Sequence, residues 1–171
     1  MSGIAFFHST LYVTSFLYLL ISKDWSCITL IISRVLIYGI SGAGKTSYAK
    51  EINEILQYDV INGEELRKAA DDWDFSHEGL IRQANRVKEL ADTKENVIID
   101  MMAPLQEMRD ILKPDFLIWM DVIPESKYPE IDAIFEKPEI DESPTMMRIH
   151  RYGGRAQMAA RRIQQLHHEP K

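Results

Sequence analysis

The sequence is short of the features that mark an extracellular, zinc-centred or nucleic-acid-coating protein. Cys27 is its only cysteine, so no disulfide can form within the chain, which fits a reducing, cytoplasmic setting. Positive charge is in deficit, with 20 Lys and Arg against 26 Asp and Glu and a formal charge of −6. That balance argues against a general nucleic-acid binder, because a phosphate backbone needs a basic surface. It does not exclude a polynucleotide end as a local target. His167 and His168, near the C-terminus, have no metal-ligand company elsewhere in the sequence, so no zinc site is expected. No internal repeat or low-complexity stretch is present, and 171 residues suit a single domain with a sizeable core.

The first 22 residues lack Asp, Glu, Lys and Arg altogether, and Ile4 to Ile21 is rich in Phe, Tyr, Leu and Ile. Three readings of this segment stand side by side. A membrane anchor needs about 18 to 20 apolar residues, although Ser2, His8, Ser9, Thr10, Thr14 and Ser15 interrupt this segment. A secretory signal would want a basic start and an Ala-x-Ala-like site before Lys23, and both are missing. The third reading is an extension outside the native coding sequence, with a start at or near Val35. The expected division is therefore residues 1–34 as an apolar extension and residues 35–171 as the folded domain. Self-association stays open.

What is there names a ligand. Gly39-Ile40-Ser41-Gly42-Ala43-Gly44-Lys45-Thr46 is a complete phosphate-binding loop, followed by Ser47. The run Arg34-Val35-Leu36-Ile37-Tyr38 before it reads as a buried strand. After it, Tyr48/Ala49, Ile52 and Ile55/Leu56 keep helical spacing. Strand, glycine loop and helix are the context this motif requires. Glycines let the backbone curl so that successive N–H groups meet phosphate oxygens, and the helix N-terminus adds partial positive charge. Lys45 is placed for the β- and γ-phosphates and the Thr46 hydroxyl for Mg²⁺, so ATP with Mg²⁺ is the expected ligand pair.

Further along, Tyr58–Asn62 reads as a second strand running into Gly63–Arg67. Ser76 caps a helix that extends to Asp92. Asn96–Asp100 is an unbroken apolar strand, central in a parallel sheet. Pro104–Leu112 reads as helix, Asp115–Asp121 as a fourth strand, and 122–144, with Pro124, Pro129, Pro138 and Pro144, as a long loop. Thr145–Ile149 is a fifth strand and Ala156–Leu166 a closing helix. Alternating strands and helices predict a three-layer α/β fold with a mainly parallel five-stranded sheet. Ligands in such sheets lie at the carboxyl ends of the strands, which gathers 39–46, 62–67, 100–104 and the loop after Asp121 around one crevice.

The order of the phosphate loop, Asn62-Gly63-Glu64-Glu65-Leu66-Arg67, Asp74-Phe75-Ser76, and Pro104 with Arg109 resembles the adenylylsulfate kinases. It is closer still to the divergent adenylylsulfate kinase-like proteins often encoded by phages. The resemblance covers roughly residues 35 to 150. It implies a P-loop kinase fold, a role in sulfate assimilation, and transfer of the ATP γ-phosphate to the 3′-hydroxyl of adenylyl sulfate, a small nucleotide acceptor. On this resemblance Asn62-Gly63-Glu64 stands where the family has Asp-Gly-Asp. Arg67 matches the arginine on the acceptor's phosphosulfate, Phe75 the aromatic that stacks on its adenine, and Arg86 and Arg109 further acceptor residues. The catalytic set is then Lys45, Glu64 and Asp100, with Thr46 and Asp100 at the metal.

The acceptor positions also depart from the family pattern. Gly79, Leu80 and Gln83 replace its Asp, Arg and Asn, and Leu105 and Gln106 replace a Tyr and an Arg. The segment 122–144, where relatives carry a basic lid, offers only Lys127 and Lys137. A kinase of another nucleotide or polynucleotide end, and an ATP-hydrolysing switch, are the competing readings. Asp121 is a second strand-end carboxylate of interest, Trp73 and Trp119 are expected in the core, and the basic C-terminal region around Arg148, Arg151, Arg155, Arg161 and Arg162 is expected to be solvated or to reach a bound nucleotide.

Overall fold

The computed structural model describes residues 32–138, 144–151, 153 and 155–167. The anchor, signal and extension readings of the N-terminal segment fall almost wholly outside these residues. In chain order the elements are β1 (Arg34–Tyr38), α1 (Lys45–Leu56), β2 (Asp59–Asn62), α2 (Gly63–Ala69), α3 (His77–Ala91), β3 (Val97–Asp100), α4 (Gln106–Leu112), β4 (Phe116–Met120), α5 (Pro129–Asp132), β5 (Met146–Ile149) and α6 (Arg155–His167). The strands lie in the order β2-β3-β1-β4-β5, and every pairing is parallel.

The sheet is buried on both faces because consecutive strand residues point to opposite sides. Val35, Ile37, Ile98, Phe116 and Ile118 pack with α1 and α6. Leu36, Tyr38, Val97, Ile99 and Trp119 pack with α3 and α4. Helix α6 buries Ala156, Ala159, Ala160 and Ile163, one stripe at helical spacing whose small side chains let it lie close on α1. Helix α3 starts where the sequence predicts, with the Ser76 hydroxyl accepting from the Gly79 N–H at 3.2 Å. The reading of 122–144 as irregular is corrected at one place: Pro129, at the first helical position, opens the single-turn helix α5.

Residues just ahead of Val35 also take part in the packing. Ile32 is fully buried in the α1/α6 core. The Ser33 N–H, the Ser33 hydroxyl and the Arg34 N–H all donate to one Asp115 carboxylate oxygen, at 2.9, 2.9 and 2.8 Å. Arg34 then donates to the Leu112 carbonyl and pairs with Asp92. These residues therefore tie β1 to the ends of α3 and α4. Their long-range partners carry no signal in a strand pattern. Among the described residues no helix is long and apolar enough to cross a membrane.

Candidate active site

The phosphate loop leaves β1 through Gly39 and turns with Gly42 and Gly44 in left-handed conformations, φ 82° and 79°. Gly39, at φ 148°, passes so close to β4 that an added Cβ would stand 2.5 Å from the Met120 carbonyl oxygen. No side chain caps the N-terminus of α1, whereas Asn62 and Ser76 cap α2 and α3. A helix start without a protein acceptor, behind a glycine loop, is built for an anion.

Lys45 is buried and its Nζ donates to the Ile40 carbonyl at 2.9 Å, arched back over the loop. Burial pulls its pKa below the ordinary lysine range, and the Asp100 and Glu64 carboxylates act in the opposite direction. Asp100 ends β3 at 3 % exposure. One of its oxygens accepts from the Thr46 hydroxyl at 2.6 Å and from the Asn62 amide at 2.8 Å. Burial raises the Asp100 pKa, while the Thr46 hydrogen bond and the Lys45 charge oppose that rise. The structure thus joins Lys45, Thr46, Asn62 and Asp100 from three separated segments.

Asn62 does two jobs through one amide. Its oxygen accepts from the Glu65 N–H at 2.9 Å, capping α2, and its nitrogen holds Asp100. It also lines the cavity that opens from the phosphate loop. The donors converging here are a hydroxyl and a carboxylate, hard oxygen ligands that suit Mg²⁺. No group of three or more His, Cys, Asp or Glu that could hold an ion occurs among the described residues. Mg²⁺ takes one or two protein oxygens and completes its shell with phosphate and water.

A cavity of about 410 Å³ opens from the loop. Ser41, Gly42, Gly44, Lys45, Thr46 and Ser47 line its phosphate end, together with Asp100. Gly39, Ile40 and Ala43 stand behind as the loop's scaffold, Ala43 fully buried with its N–H on the Ile40 carbonyl. Arg67, Trp73, Phe75, Tyr128 and Ile131 line the rest of it, and Glu64, also on the wall, is near enough to act on the charges of Lys45 and Asp100. Ala103, also on the wall, holds a left-handed φ of 41°, an uncommon conformation for a residue with a Cβ and one concentrated at functional sites.

The arginines implied by the resemblance behave differently from one another. Arg67 lines the cavity but is only 5 % exposed. Its Nη1 donates to the Asp72 and Asp74 carbonyls at 2.9 and 2.8 Å, and its guanidinium lies 4.7 Å from the centre of the Phe75 ring. Arg86 is not on the cavity wall; it pairs with Asp72 and the Gln83 amide oxygen. Arg109 is not there either. It donates to the Ala103 carbonyl at 2.8 Å and the Glu136 carbonyl at 2.8 Å, and it stacks 5.1 Å from the Tyr38 ring centre. It pins the strained β3–α4 turn to the segment that follows α5. A guanidinium suits an anion or a set of carbonyls equally well, so the sequence could not tell these roles apart.

Other positions resolve in the same way. Gly79, where the family has Asp, is forced: a Cβ there would meet the Asp74 carbonyl oxygen at 2.4 Å. Gln83 reaches the Gly63 carbonyl at 2.7 Å. Asp121 is engaged by Arg148 and His150, and Arg148 lies 4.6 Å from the Trp119 ring centre. Arg162 donates to the Pro144 carbonyl. Trp119 is core as expected, but Trp73 is 51 % exposed and faces the cavity. Sequence reasoning missed Trp73, Tyr128 and Ile131 as wall residues. The one available signal was Trp73 in a polar, irregular stretch, where no core element is at hand to bury it.

Neither a protein-family model nor a curated protein matches this sequence. Solved structures do. The adenylylsulfate (APS) kinase of Mycobacterium tuberculosis, in complex with AMPPNP and APS, aligns at 20 % identity over 80 % of this chain and 98 % of its own, with a TM-score of 0.59. A gluconokinase from Sinorhizobium meliloti aligns at 16 % identity over 80 % of this chain and 92 % of its own, with a TM-score of 0.60. Shikimate kinase from Acinetobacter baumannii, in complex with shikimate, aligns at 18 % identity over 80 % and 93 %, with a TM-score of 0.53. At such identities these likenesses speak for architecture alone: the chain has the P-loop kinase fold, a five-stranded parallel sheet between two helical layers.

Proposed function

We propose that this chain is a Mg²⁺-dependent phosphotransferase that moves the γ-phosphoryl group of ATP to a hydroxyl of a small, ring-bearing acceptor. The observation that carries this reading is one continuous cavity, with the phosphate loop, Lys45, Thr46 and Asp100 at one end and aromatic side chains at the other. A nucleotide-hydrolysing switch has no use for that second end. Adenylyl sulfate, through its 3′-hydroxyl, is the acceptor to which the sequence resemblance points, and the position of Phe75 and Arg67 on the wall supports a ring-bearing molecule there.

The loop amides and the α1 N-terminus bind the phosphates, and Lys45 leaves the Ile40 carbonyl to meet the charge that develops on the transferring group. Thr46 and Asp100 are the residues that would hold Mg²⁺, whose chemistry is to neutralise charge across the phosphate oxygens. Asn62 keeps Asp100 aimed at that position. The acceptor oxygen forms a bond to the γ-phosphorus as the bond from that phosphorus to the bridging oxygen breaks, and ADP leaves. The hydroxyl proton passes to Glu64, an exposed carboxylate on the cavity wall that can release it to water.

A coupled ATP-turnover assay with adenylyl sulfate, nucleosides and polynucleotide 5′ ends, with mass analysis of the products, tests the reading. The expected result is acceptor-dependent turnover with phosphorylated product. Turnover of equal rate without any acceptor would overturn it.

A further inference from the structure

Beyond the reaction class, the acceptor end of the cavity carries its own chemical signature. Three aromatic rings, Trp73, Phe75 and Tyr128, stand on its wall, and Trp73 and Tyr128 are 51 % and 41 % exposed. Exposed rings around a concave site are platforms for a flat, π-faced molecule. Charge points the other way from the family pattern. Glu130 lines this part of the wall, and its one cation besides the loop's Lys45 is Arg67, which already serves two backbone carbonyls. The nearby Arg82 and Arg86 are paired with Asp72, and Arg109 is bound to backbone oxygens behind the wall.

The segment that supplies Tyr128, Glu130 and Ile131 to the wall adds to this. Between Val122 and Pro138 it has four acids and two lysines. Lys127 lies 4.9 Å from the Tyr128 ring centre and is not among the wall residues, whereas Glu130 is. A dianionic acceptor placed here would face like charge with little compensation, and a buried anion needs a partner.

We infer that the acceptor is an uncharged, nucleoside-like alcohol, a neutral hydroxyl-bearing molecule with a planar aromatic ring that stacks on Trp73 and Tyr128, rather than an anionic nucleotide. This rests on the phosphotransferase reading above for its chemistry but not for its binding test. The ring lies among the aromatic side chains, and the hydroxyl points toward the phosphate loop at the shared end of the cavity. Trp73 and Tyr128 are then specificity-determining residues, and Glu130 rejects anions.

Calorimetry on the full chain with Mg²⁺ and AMPPNP tests this, using the four ribonucleosides, their 5′-monophosphates and adenylyl sulfate. These pairs differ in charge and little else. At least one nucleoside should bind about tenfold or more tightly than its monophosphate and than adenylyl sulfate. Trp73→Ala and Tyr128→Ala should each weaken that nucleoside about tenfold and leave AMPPNP affinity unchanged. Glu130→Lys should narrow the nucleoside-to-monophosphate ratio, a readout that loss of packing alone would not move. Tighter binding of the monophosphates or adenylyl sulfate, no binding of any nucleoside, or indifference to both ring substitutions would overturn the inference. Nucleoside binding without phosphoryl transfer would instead overturn the phosphotransferase reading and leave this one standing.

Discussion

At the phosphate end of the cavity the wall comes from one contiguous loop, between Ser41 and Ser47, and one strand-end carboxylate. At the acceptor end the wall is collected from α2, the loop before α3, the β3–α4 turn and α5. The first region brings Lys45, Thr46 and Asp100 together beside the loop. In the second, the arginines that the sequence resemblance implied are bound by the protein itself: Arg67 on two carbonyls, Arg86 on Asp72, Arg109 on the β3–α4 turn. The contrast teaches that a transferable half-site demands fixed geometry, because every triphosphate is alike, while the half that meets the acceptor is free to change.

The largest effect that would sharpen this contrast is Lys45→Ala. It should lower the transfer rate by about 10²-fold or more, since one preorganised charge on the transition state is removed, with the circular dichroism unchanged. A variant retaining most of the wild-type kcat would break the assignment of the phosphate end. Asp100→Asn comes next, with a fall of about 10²-fold in kcat and a change in the pH profile.

The signs of that profile follow from burial. Asp100 works ionised, so activity falls as pH drops through its raised pKa, and the acid limb should lie above the ordinary aspartate value of about 3.9. Lys45 works protonated, so activity falls as pH rises through its lowered pKa, and the alkaline limb should lie below about 10.4. Because the two groups interact, both limbs belong to the pair. The acid limb should move in Asp100→Asn; an unchanged limb would remove Asp100 from the proposed metal site.

Moving the start of the chain is a test away from both ends. A protein beginning at Val35 loses the fully buried Ile32 and the Ser33–Asp115 bonds, and should be about 2–3 kcal/mol less stable to urea than one beginning at Ile32. Equal midpoints would restore the boundary at residue 35. Arg67→Ala leaves the Asp72 and Asp74 carbonyls without their donor and should cost about 1–3 kcal/mol of stability, raising the acceptor KM more than the ATP KM. The smallest effect expected is from Arg86→Gln. Its ion pair with Asp72 is partly solvated and should be worth less than about 1 kcal/mol, and the acceptor KM should hold. A large rise in that KM would return Arg86 to the acceptor and blur the contrast between the two ends.

Much of this was legible in the sequence for a definite reason. The phosphate loop is contiguous, and strands and helices announce themselves by periods of two and 3.6 residues, so β1, α1, α3, β3 and α6 appear within a few residues of their observed bounds. The place of Asp100 beside the loop was legible because the carboxyl ends of parallel strands gather along one edge of the sheet. Trp73 was misplaced because a tryptophan is usually buried and nothing in its neighbours says that the loop before α3 turns it outward.

The sequence by itself determined the fold class, the phosphate loop and the set of strand ends around it, because each is announced by a pattern local in the chain. Tertiary structure decided what each polar group does with its hydrogen bonds. Thr46 meets Asp100 across 54 residues, Arg109 meets Glu136 across 27, and Ser33 meets Asp115 across 82. A buried donor must be satisfied by whichever acceptor the fold brings near, and that choice is made only when distant segments pack.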